Sequence, residues 1–422
     1  MPFDPLPRAS RRVFAGAALS AIVGCSRTSR FIEPASAPVP ASAPPVVVLA
    51  APPETAPRAT PSDARDDADL PLFVAFPRLA RGIARAPLGL FPTPVERAAA
   101  LGERLGIGAL YVKRDDVSGA LYGGGKTRKL ELFFGEARRD GHRTVVTFGG
   151  AGSHHALATA IYAKELGIKA ILMLLPQPGD ATVREALLAE IGCGATIQLS
   201  PALRGAERAA RRRLVAAGDR REPYVIPVGG TSPLGNVAFV NAAFELRRDV
   251  ERGLLPEPDV VYLAMGTMGS AAGLALGLAA LGSKTRVVAV RASSPGTSSA
   301  ARLQAAIVAT RDHLRALDPS FPEVDPARCA IRIAGEQLGG GYALPTKKGL
   351  AAIGAARDLA GLSLEPTYTG KALAALIDDA PGLSRQVVLF WNSQSSRPLD
   401  TADVDRHALP AAFQGYFPAA KR

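Results

Sequence analysis

The stretch 123–127 reads Gly-Gly-Gly-Lys-Thr and joins a lysine amine to glycines of the kind found in phosphate-binding loops. The nucleotide-binding P-loop has a glycine, four free residues and then Gly-Lys-Ser/Thr, which would place its first glycine at position 120. That position is Ala120, and charged residues rather than a buried apolar strand precede the stretch. The spacing therefore argues against a P-loop, and Lys126 needs another role.

A second glycine-rich segment, 265–273 (MGTMGSAAG), is the better candidate for a phosphate site. Its glycines let consecutive backbone N–H groups converge, and a helix that begins at Ser270 would direct its positive end to the same point. The segment does not match Gly-x-Gly-x-x-Gly, and no acid follows about 20 residues on in a ribose-binding context, so a dinucleotide is disfavoured. The residues predicted to hold a phosphate are Gly266, Thr267, Met268, Gly269 and Ser270.

The lysine and the separate phosphate segment together suggest pyridoxal 5'-phosphate as the cofactor. A lysine amine forms a Schiff base with the aldehyde of this cofactor, while a second site holds its phosphate. Its ring then withdraws electrons from a carbanion. This combination gives Lys126 a role that a nucleotide site does not.

Short apolar runs alternate with helical periods along the chain, which predicts a parallel α/β architecture. Ligands in such folds bind at the carboxyl ends of strands, often against helix N-termini. The glycine-rich segments 148–155 and 265–273 both lie at such ends. The predicted strands are 144–150, 169–175, 195–200, 260–266, 286–293 and 386–393, and the predicted helices are 154–167, 181–192 and 270–282.

Composition sets limits on the class of protein. The hydrophobic fraction of 47% is enough for a packed core, and 422 residues allow two or three compact units. The net charge is +12, but no aromatic residues interleave with the basic cluster 208–213, which we interpret as a solvated helix face without a nucleic-acid partner. The three cysteines form neither a Cys-x-x-Cys pair nor a zinc-like Cys/His cluster, so no metal site is expected. Cys193 is expected to pack in the core.

The N-terminal 75 residues differ from the rest of the chain. Residues 1–33 hold paired arginines and a short apolar run, which is typical of an export signal. Residues 10–14 resemble a twin-arginine motif, and residues 22–25 resemble a lipobox whose Cys25 would be lipidated. Residues 34–75 are rich in proline and alanine and are predicted to be a disordered linker. We therefore expect an exported lipoprotein attached to a membrane, with a cytoplasmic enzyme as the alternative.

The segment KRDD at 113–116, followed by GGGKTRKLE at 123–131, resembles the signature of the D-cysteine desulfhydrase and 1-aminocyclopropane-1-carboxylate deaminase family. These are fold-type II pyridoxal-phosphate enzymes. The resemblance covers about residues 76–400, in order, and continues through PTPVER (92–97), TFGGAGSHH (147–155), GTMGS (266–270), GGGYALPT (339–346) and EPTYTGKA (365–372).

The resemblance implies two parallel-sheet α/β domains with the cofactor between them. Residues 76–138 and 246–415 would form the larger domain and residues 139–245 the smaller one, and a homodimer is the expected assembly. By the same resemblance Lys126 would carry the cofactor and move the proton, and Ser153 would bind the substrate carboxylate. The residues expected to contact the substrate are Ser153, His154, His155, Tyr342 and Tyr368. Those expected to hold the cofactor are Lys126, His154, Gly266 to Ser270, and Ser393, which would face the pyridine nitrogen.

The chain departs from the family pattern at three places and sides with one branch of the family at a fourth. His154 replaces an asparagine that bonds the cofactor's 3′ oxygen, and Gly125 replaces the asparagine before the lysine. The closing His-Thr-Gly-Gly becomes Asn-Ser-Gln-Ser at 392–395, which keeps a hydroxyl at Ser393. A hydroxyl cannot protonate the pyridine nitrogen as a carboxylate would, so a weaker electron sink is expected. Thr369 follows the second tyrosine, as in desulfhydrases, where deaminases have glutamate.

These features favour an enzyme that eliminates a β-substituent from a small amino acid, of D configuration, and releases ammonia and a 2-oxo acid. The first alternative is a deaminase of 1-aminocyclopropane-1-carboxylate. A second alternative, suggested by the departures at His154 and Ser395, is a lipoprotein that binds pyridoxal phosphate without turnover.

Overall fold

The computed structural model describes residues 70–200 and 222–417. The α-helices are α1 (Pro71–Ala75), α2 (Pro77–Gly82), α3 (Ala99–Leu105), α4 (Gly125–Arg139), α5 (His154–Glu165), α6 (Ala181–Gly192), α7 (Pro233–Glu251), α8 (Gly269–Ala280), α9 (Ala300–Leu317), α10 (Lys347–Ala360), α11 (Thr369–Asp379) and α12 (Ala411–Gln414). The strands are β1 (Val95–Arg97), β2 (Ala109–Arg114), β3 (Thr144–Gly150), β4 (Lys169–Leu175), β5 (Thr196–Leu199), β6 (Tyr224–Val225), β7 (Val260–Met265), β8 (Arg286–Arg291), β9 (Ile331–Ala334) and β10 (Val387–Asn392).

The strands form two sheets, with the orders β1-β2-β10-β7-β8-β9 and β5-β4-β3-β6. All pairings are parallel except that of β1 with β2, at one edge of the larger sheet. Strands such as β3 and β7 are buried along almost their whole length, as expected when helices cover both faces of a parallel sheet. The predicted parallel α/β fold is confirmed, and the short antiparallel β1 is an addition to it.

A buried network of charged side chains fixes α4 against β2 and α7. The Arg128 guanidinium lies 2.7 Å from a carboxylate oxygen of Asp115 and 2.7 Å from one of Glu245. The Lys113 amine lies 2.8 Å from Glu245 and 2.6 Å from Asp249. Buried charges must be paired, so α4 is held in one position relative to the larger sheet. Lys126 lies two residues before Arg128 on the same helix, so the network also fixes the position of Lys126.

The predicted strand and helix ends differ from the observed ones by at most two residues. The larger difference concerns Lys126, which we predicted within a loop and which lies in the first turn of α4. Gly124, at φ +91°, makes the turn that brings the chain into this helix. Cys193 is half-buried against the core rather than fully inside it.

The end of the predicted linker 34–75 is wrong, because residues 71–75 form α1. Leu72 and Phe73 are buried in the core cluster that also contains Val237 and Phe239 of α7. Their apolar surface makes this stretch part of the folded body. The remainder of that linker, the signal-like residues 1–33 and the basic cluster 208–213 lie outside the described residues. Among the helices that the structure describes, none is long and apolar enough to cross a membrane.

Candidate active site

A cavity of about 330 Å³ lies where the carboxyl ends of β3, β7 and β10 approach the first turns of α4, α5, α8 and α11. This is the place where parallel sheets commonly bind ligands. The structure brings every residue predicted for the site to its lining: Lys126, Ser153, His154, His155, Gly266, Thr267, Met268, Gly269, Ser270, Tyr342, Tyr368 and Ser393. Within residues 70–200 and 222–417 no group of three His, Cys, Asp or Glu side chains suits a metal ion.

Close backbone packing places Lys126 on the cavity wall. The Gly125 N–H donates to the Ser393 carbonyl at 3.1 Å, and a Cβ at Gly124 would lie only 2.7 Å from that same oxygen. The glycines before Lys126 thus let α4 begin directly against the end of β10. Burial lowers the pKa of Lys126 to about 8, because the desolvated ammonium is less stable than the free amine. A substantial neutral fraction near physiological pH suits a nucleophilic amine.

The segment 266–270 lines the cavity at the start of α8. Met268 has a positive φ of +72°, a strained conformation for a residue with a side chain, and such residues recur at functional sites. A Cβ at Gly269 would lie 2.3 Å from Asn236 Oδ1, 2.7 Å from Lys129 Nζ and 2.8 Å from Thr231 Oγ1. Only a residue without a side chain lets these polar groups approach the start of α8 this closely.

Lys129 is the strongest site residue that we did not predict. It is 1% exposed, and its Nζ makes a long 3.4 Å hydrogen bond to the Gly229 carbonyl. Burial first, and then the charge of Lys126, hold the pKa of Lys129 well below its usual value. The sequence did hold a signal for it: Lys129 follows Lys126 by three positions, and residues three apart lie on the same face of a helix.

The part of the cavity lined by Lys129 and the segment 266–270 offers hydrogen-bond donors for a phosphate group. Lys129 is a buried amine whose pKa burial holds well below its usual value, and its neighbour in the cavity wall is the segment 266–270 at the N-terminus of α8. A bound phosphate dianion would stabilise the protonated, positively charged form of Lys129. The free backbone N–H groups at the start of a helix also favour such anions. The residues present therefore fit the phosphate of pyridoxal phosphate.

Two hydrogen-bonded tyrosines face the cavity together. The Tyr368 hydroxyl donates to the Tyr342 hydroxyl at 3.2 Å, and the two rings are edge-to-face at 6.0 Å. Burial raises the pKa of both phenols, so both remain protonated at neutral pH. Glu365, which we did not predict, accepts the N–H groups of Tyr368 and Thr369 at 2.8 Å each and so fixes the start of α11.

The Ser153-His154-His155 segment begins α5. Ser153 is its N-cap, with Oγ accepting the Ala156 N–H at 3.3 Å. His155 is buried, with Nε2 3.0 Å from Thr147 Oγ1, and burial followed by the charges of the two nearby lysines holds its pKa well below the usual value. His154 lines the cavity, with Nδ1 2.9 Å from the Tyr122 hydroxyl.

The altered segment at the end of β10 has a structural role of its own. Ser395, which stands where the family has glycine, accepts the Gly123 N–H on its Oγ at 2.9 Å. Its side chain thereby supports the glycines that precede Lys126. Ser393 lines the cavity beside them. The Ser395 hydroxyl, which a glycine would lack, thus helps to hold the glycine-rich segment before Lys126 in place.

A buried lysine in the first turn of one helix, a glycine-rich segment at the N-terminus of another, and a cavity at the carboxyl ends of two largely parallel sheets are together typical of pyridoxal-phosphate enzymes. A family model described as "Pyridoxal-phosphate dependent enzyme" matches residues 86–393, and the chain belongs to this family. It is similar to the D-cysteine desulfhydrase of Serratia proteamaculans, with 35% identity over 295 residues, 68% of this chain and 85% of that one. The enzyme of the same name from Klebsiella pneumoniae is 32% identical over the same shares.

Solved structures agree with this placement. A crystal structure described as an ACC deaminase homologue is 30% identical, with a TM-score of 0.65, and covers 76% of this chain and 94% of its own. A threonine deaminase from Solanum lycopersicum is 17% identical at a TM-score of 0.53, covers 82% of this chain and 96% of its own, and shows the fold alone. The predicted family, fold class and cofactor are confirmed: the protein is a pyridoxal-phosphate-dependent lyase or deaminase.

Proposed function

We propose that the enzyme removes a β-substituent from a small D-amino acid such as D-cysteine and releases ammonia and a 2-oxo acid. The observation that carries this proposal is the single cavity that Lys126, the tyrosine pair and the segment 266–270 line together. The similarity to D-cysteine desulfhydrases supports the substrate class.

The roles of the residues follow from their positions. Lys126 would hold the cofactor aldehyde. The segment 266–270, together with Lys129, would hold the phosphate. Ser393 would lie at the pyridine nitrogen. When bound, pyridoxal phosphate supplies an electron sink for negative charge at the substrate Cα. A hydroxyl at Ser393 leaves that sink weaker than a carboxylate would.

Proton movements are assigned to this chain's own groups. The neutral Nζ of Lys126 would accept the Cα proton, for which its lowered pKa is suited. Because Tyr368 donates to Tyr342, the O–H of Tyr342 is left to donate to the leaving group. Ser153 would orient the substrate carboxylate at the positive end of α5.

The choice between desulfhydrase and deaminase rests on substrate tests. The full chain, loaded with pyridoxal phosphate, should release ammonia from D-cysteine and β-chloro-D-alanine faster than from the L forms and faster than from 1-aminocyclopropane-1-carboxylate. Preference for the cyclopropane substrate would establish the deaminase alternative instead. A visible cofactor band without 2-oxo acid from any of these substrates would indicate binding without turnover.

Assembly, domain division and location remain part of the proposal. We expect a homodimer, the larger domain at 76–138 and 246–415, and the smaller one at 139–245. The export signal at 1–33 and the lipidation of Cys25 concern residues outside the described ranges. A cytoplasmic enzyme is the alternative.

A further inference from the structure

His154 lies between a phenol and a carboxylate on the wall of the cavity. Its Nδ1 is 2.9 Å from the Tyr122 hydroxyl, and its Nε2 is 4.0 Å from Glu365 Oε2. Both neighbours are buried. The imidazole is therefore approached at each nitrogen by a different kind of group.

The two neighbours favour the same tautomer of His154. Burial holds the pKa of Tyr122 far above its usual value, so its hydroxyl keeps its proton. Among the described residues His154 Nδ1 is the hydrogen-bond partner of this hydroxyl, so donation to Nδ1 satisfies the buried proton, whereas acceptance of an Nδ1–H would leave it without an acceptor. Glu365 is fixed in place because it accepts the N–H groups of residues 367 to 369. At 4.0 Å its carboxylate is too distant for a hydrogen bond, but it attracts an Nε2–H and repels a bare Nε2 lone pair.

The imidazole is neutral near physiological pH, so the choice of tautomer matters. Its pKa is lowered chiefly by burial and further by Lys126, while the carboxylates of Glu365 and Asp180 oppose this shift. The edge of the Tyr368 ring, 6.3 Å away between centroids, adds no charge.

We propose that Tyr122 and Glu365 are positioning residues that fix His154 as the Nε2–H tautomer, so that this wall of the cavity presents a hydrogen-bond donor to bound pyridoxal phosphate. This rests on the proposed contact of His154 with the cofactor and is independent of the substrate. The tautomer explains how a histidine replaces an amide here. An Nε2–H keeps a donor, whereas an Nδ1–H tautomer would present a lone pair.

The tautomer is measurable without turnover. The full chain is labelled with ¹⁵N-histidine, and long-range ¹H–¹⁵N spectra are recorded near neutral pH with and without pyridoxal phosphate. The chain has five histidines, and the signal missing in His154→Asn identifies His154. The proposal expects a protonated Nε2 and an unprotonated Nδ1 in both states. An Nδ1–H tautomer or an imidazolium in the unmodified protein would overturn it.

Variants test the two neighbours. Tyr122→Phe and Glu365→Gln should each convert the single tautomer into a mixture. Tyr224→Phe is the matched control, because its hydroxyl contacts Glu136 and not the cavity. An unchanged His154 spectrum in Tyr122→Phe would contradict the proposal.

A double-mutant cycle separates positioning from mere packing. Tyr122→Phe should weaken pyridoxal phosphate binding about fivefold, the effect of one ordinary hydrogen bond. In a His154→Asn background the same change should have no effect, because an amide needs no tautomer to be fixed. Equal weakening in both backgrounds would show that Tyr122 acts only by packing. If the spectra and the cycle agree with the proposal while D-cysteine is not consumed, the substrate assignment alone fails.

Discussion

At the residue scale, the site depends on two lysines that burial makes less basic. Lys126 was predicted from its glycines. Lys129 was missed although it lies three positions further along, because the spacing alone does not show that its amine reaches Gly269. The same holds for Tyr122 and Glu365. Their positions depend on contacts between residues far apart in the sequence, for which a motif gives no signal.

The first residue-scale prediction concerns Lys129. Lys129→Met should weaken pyridoxal phosphate binding roughly ten- to a hundredfold, since a hydrogen bond to a charged group contributes about 1.5–3 kcal/mol. Titration of the cofactor-free protein by absorbance measures the change. Lys284→Met, at an exposed loop position, is the control and should bind normally. Normal binding in Lys129→Met would remove this residue from the phosphate site.

The second concerns the pH dependence of cofactor attachment. Only the neutral amine of Lys126 attacks the aldehyde, so the attachment rate should rise with pH through a midpoint near the lowered pKa of about 8. Mixing cofactor-free protein with pyridoxal phosphate and following absorbance measures this rate. A midpoint near the ordinary lysine value of 10.5 would show that the amine is not desolvated.

At the element scale, the sequence predicted the strands around the site and the helices α5 and α8, but it missed α4 and α11 and did not show what holds these elements together. Apolar periods identified β3, β7 and β10 to within one or two residues. The network of Arg128 with Asp115 and Glu245 could not be predicted, because its partners lie up to 117 positions apart. Periodicity reports which face of an element is buried and not which charges meet there.

Loss of Glu245 should destabilise the whole fold. Glu245→Ala leaves the charges of Arg128 and Lys113 less compensated in the core, which costs about 3–5 kcal/mol of unfolding free energy. Urea denaturation measures this loss, and Glu251→Ala, exposed at the end of the same helix, should change little.

This destabilisation should depend on pH. The Arg128 and Lys113 charges hold the pKa of Glu245 below its ordinary 4.5, although burial alone would raise it. Its stabilising contribution is therefore present above pH 4.5 and is lost as the pH falls below that value. The difference between the unmodified chain and Glu245→Ala should shrink in acid, and a constant difference would contradict this assignment.

At the scale of the whole molecule, the two sheets contribute to one cavity, as the family resemblance implied. The N-terminal residues are a separate question, since neither the described structure nor the family match at residues 86–393 includes them. Composition and short motifs alone support the proposal that they direct export. Twin-arginine export of a protein already folded around its cofactor is consistent with the rest of the chain.

Fractionation of the native host, with mass spectrometry of the N-terminus, tests this location. We expect a membrane-bound form that begins at a lipidated Cys25. Replacement of Arg11 and Arg12 by lysine should retain the precursor in the cell, whereas Arg30→Lys, outside the motif, should not. An intact Met1 or a soluble cytoplasmic pool as the only form would rule export out.

The central claim is that Lys126 carries the cofactor, and covalent labelling tests it most directly. Borohydride reduction of the protein loaded with pyridoxal phosphate, followed by peptide mapping, should place the cofactor mass on Lys126, and Lys126→Ala should take up no label. Fragmentation separates Lys126 from Lys129, three positions away on α4. A label on Lys129, or on any lysine outside the cavity, would contradict the account.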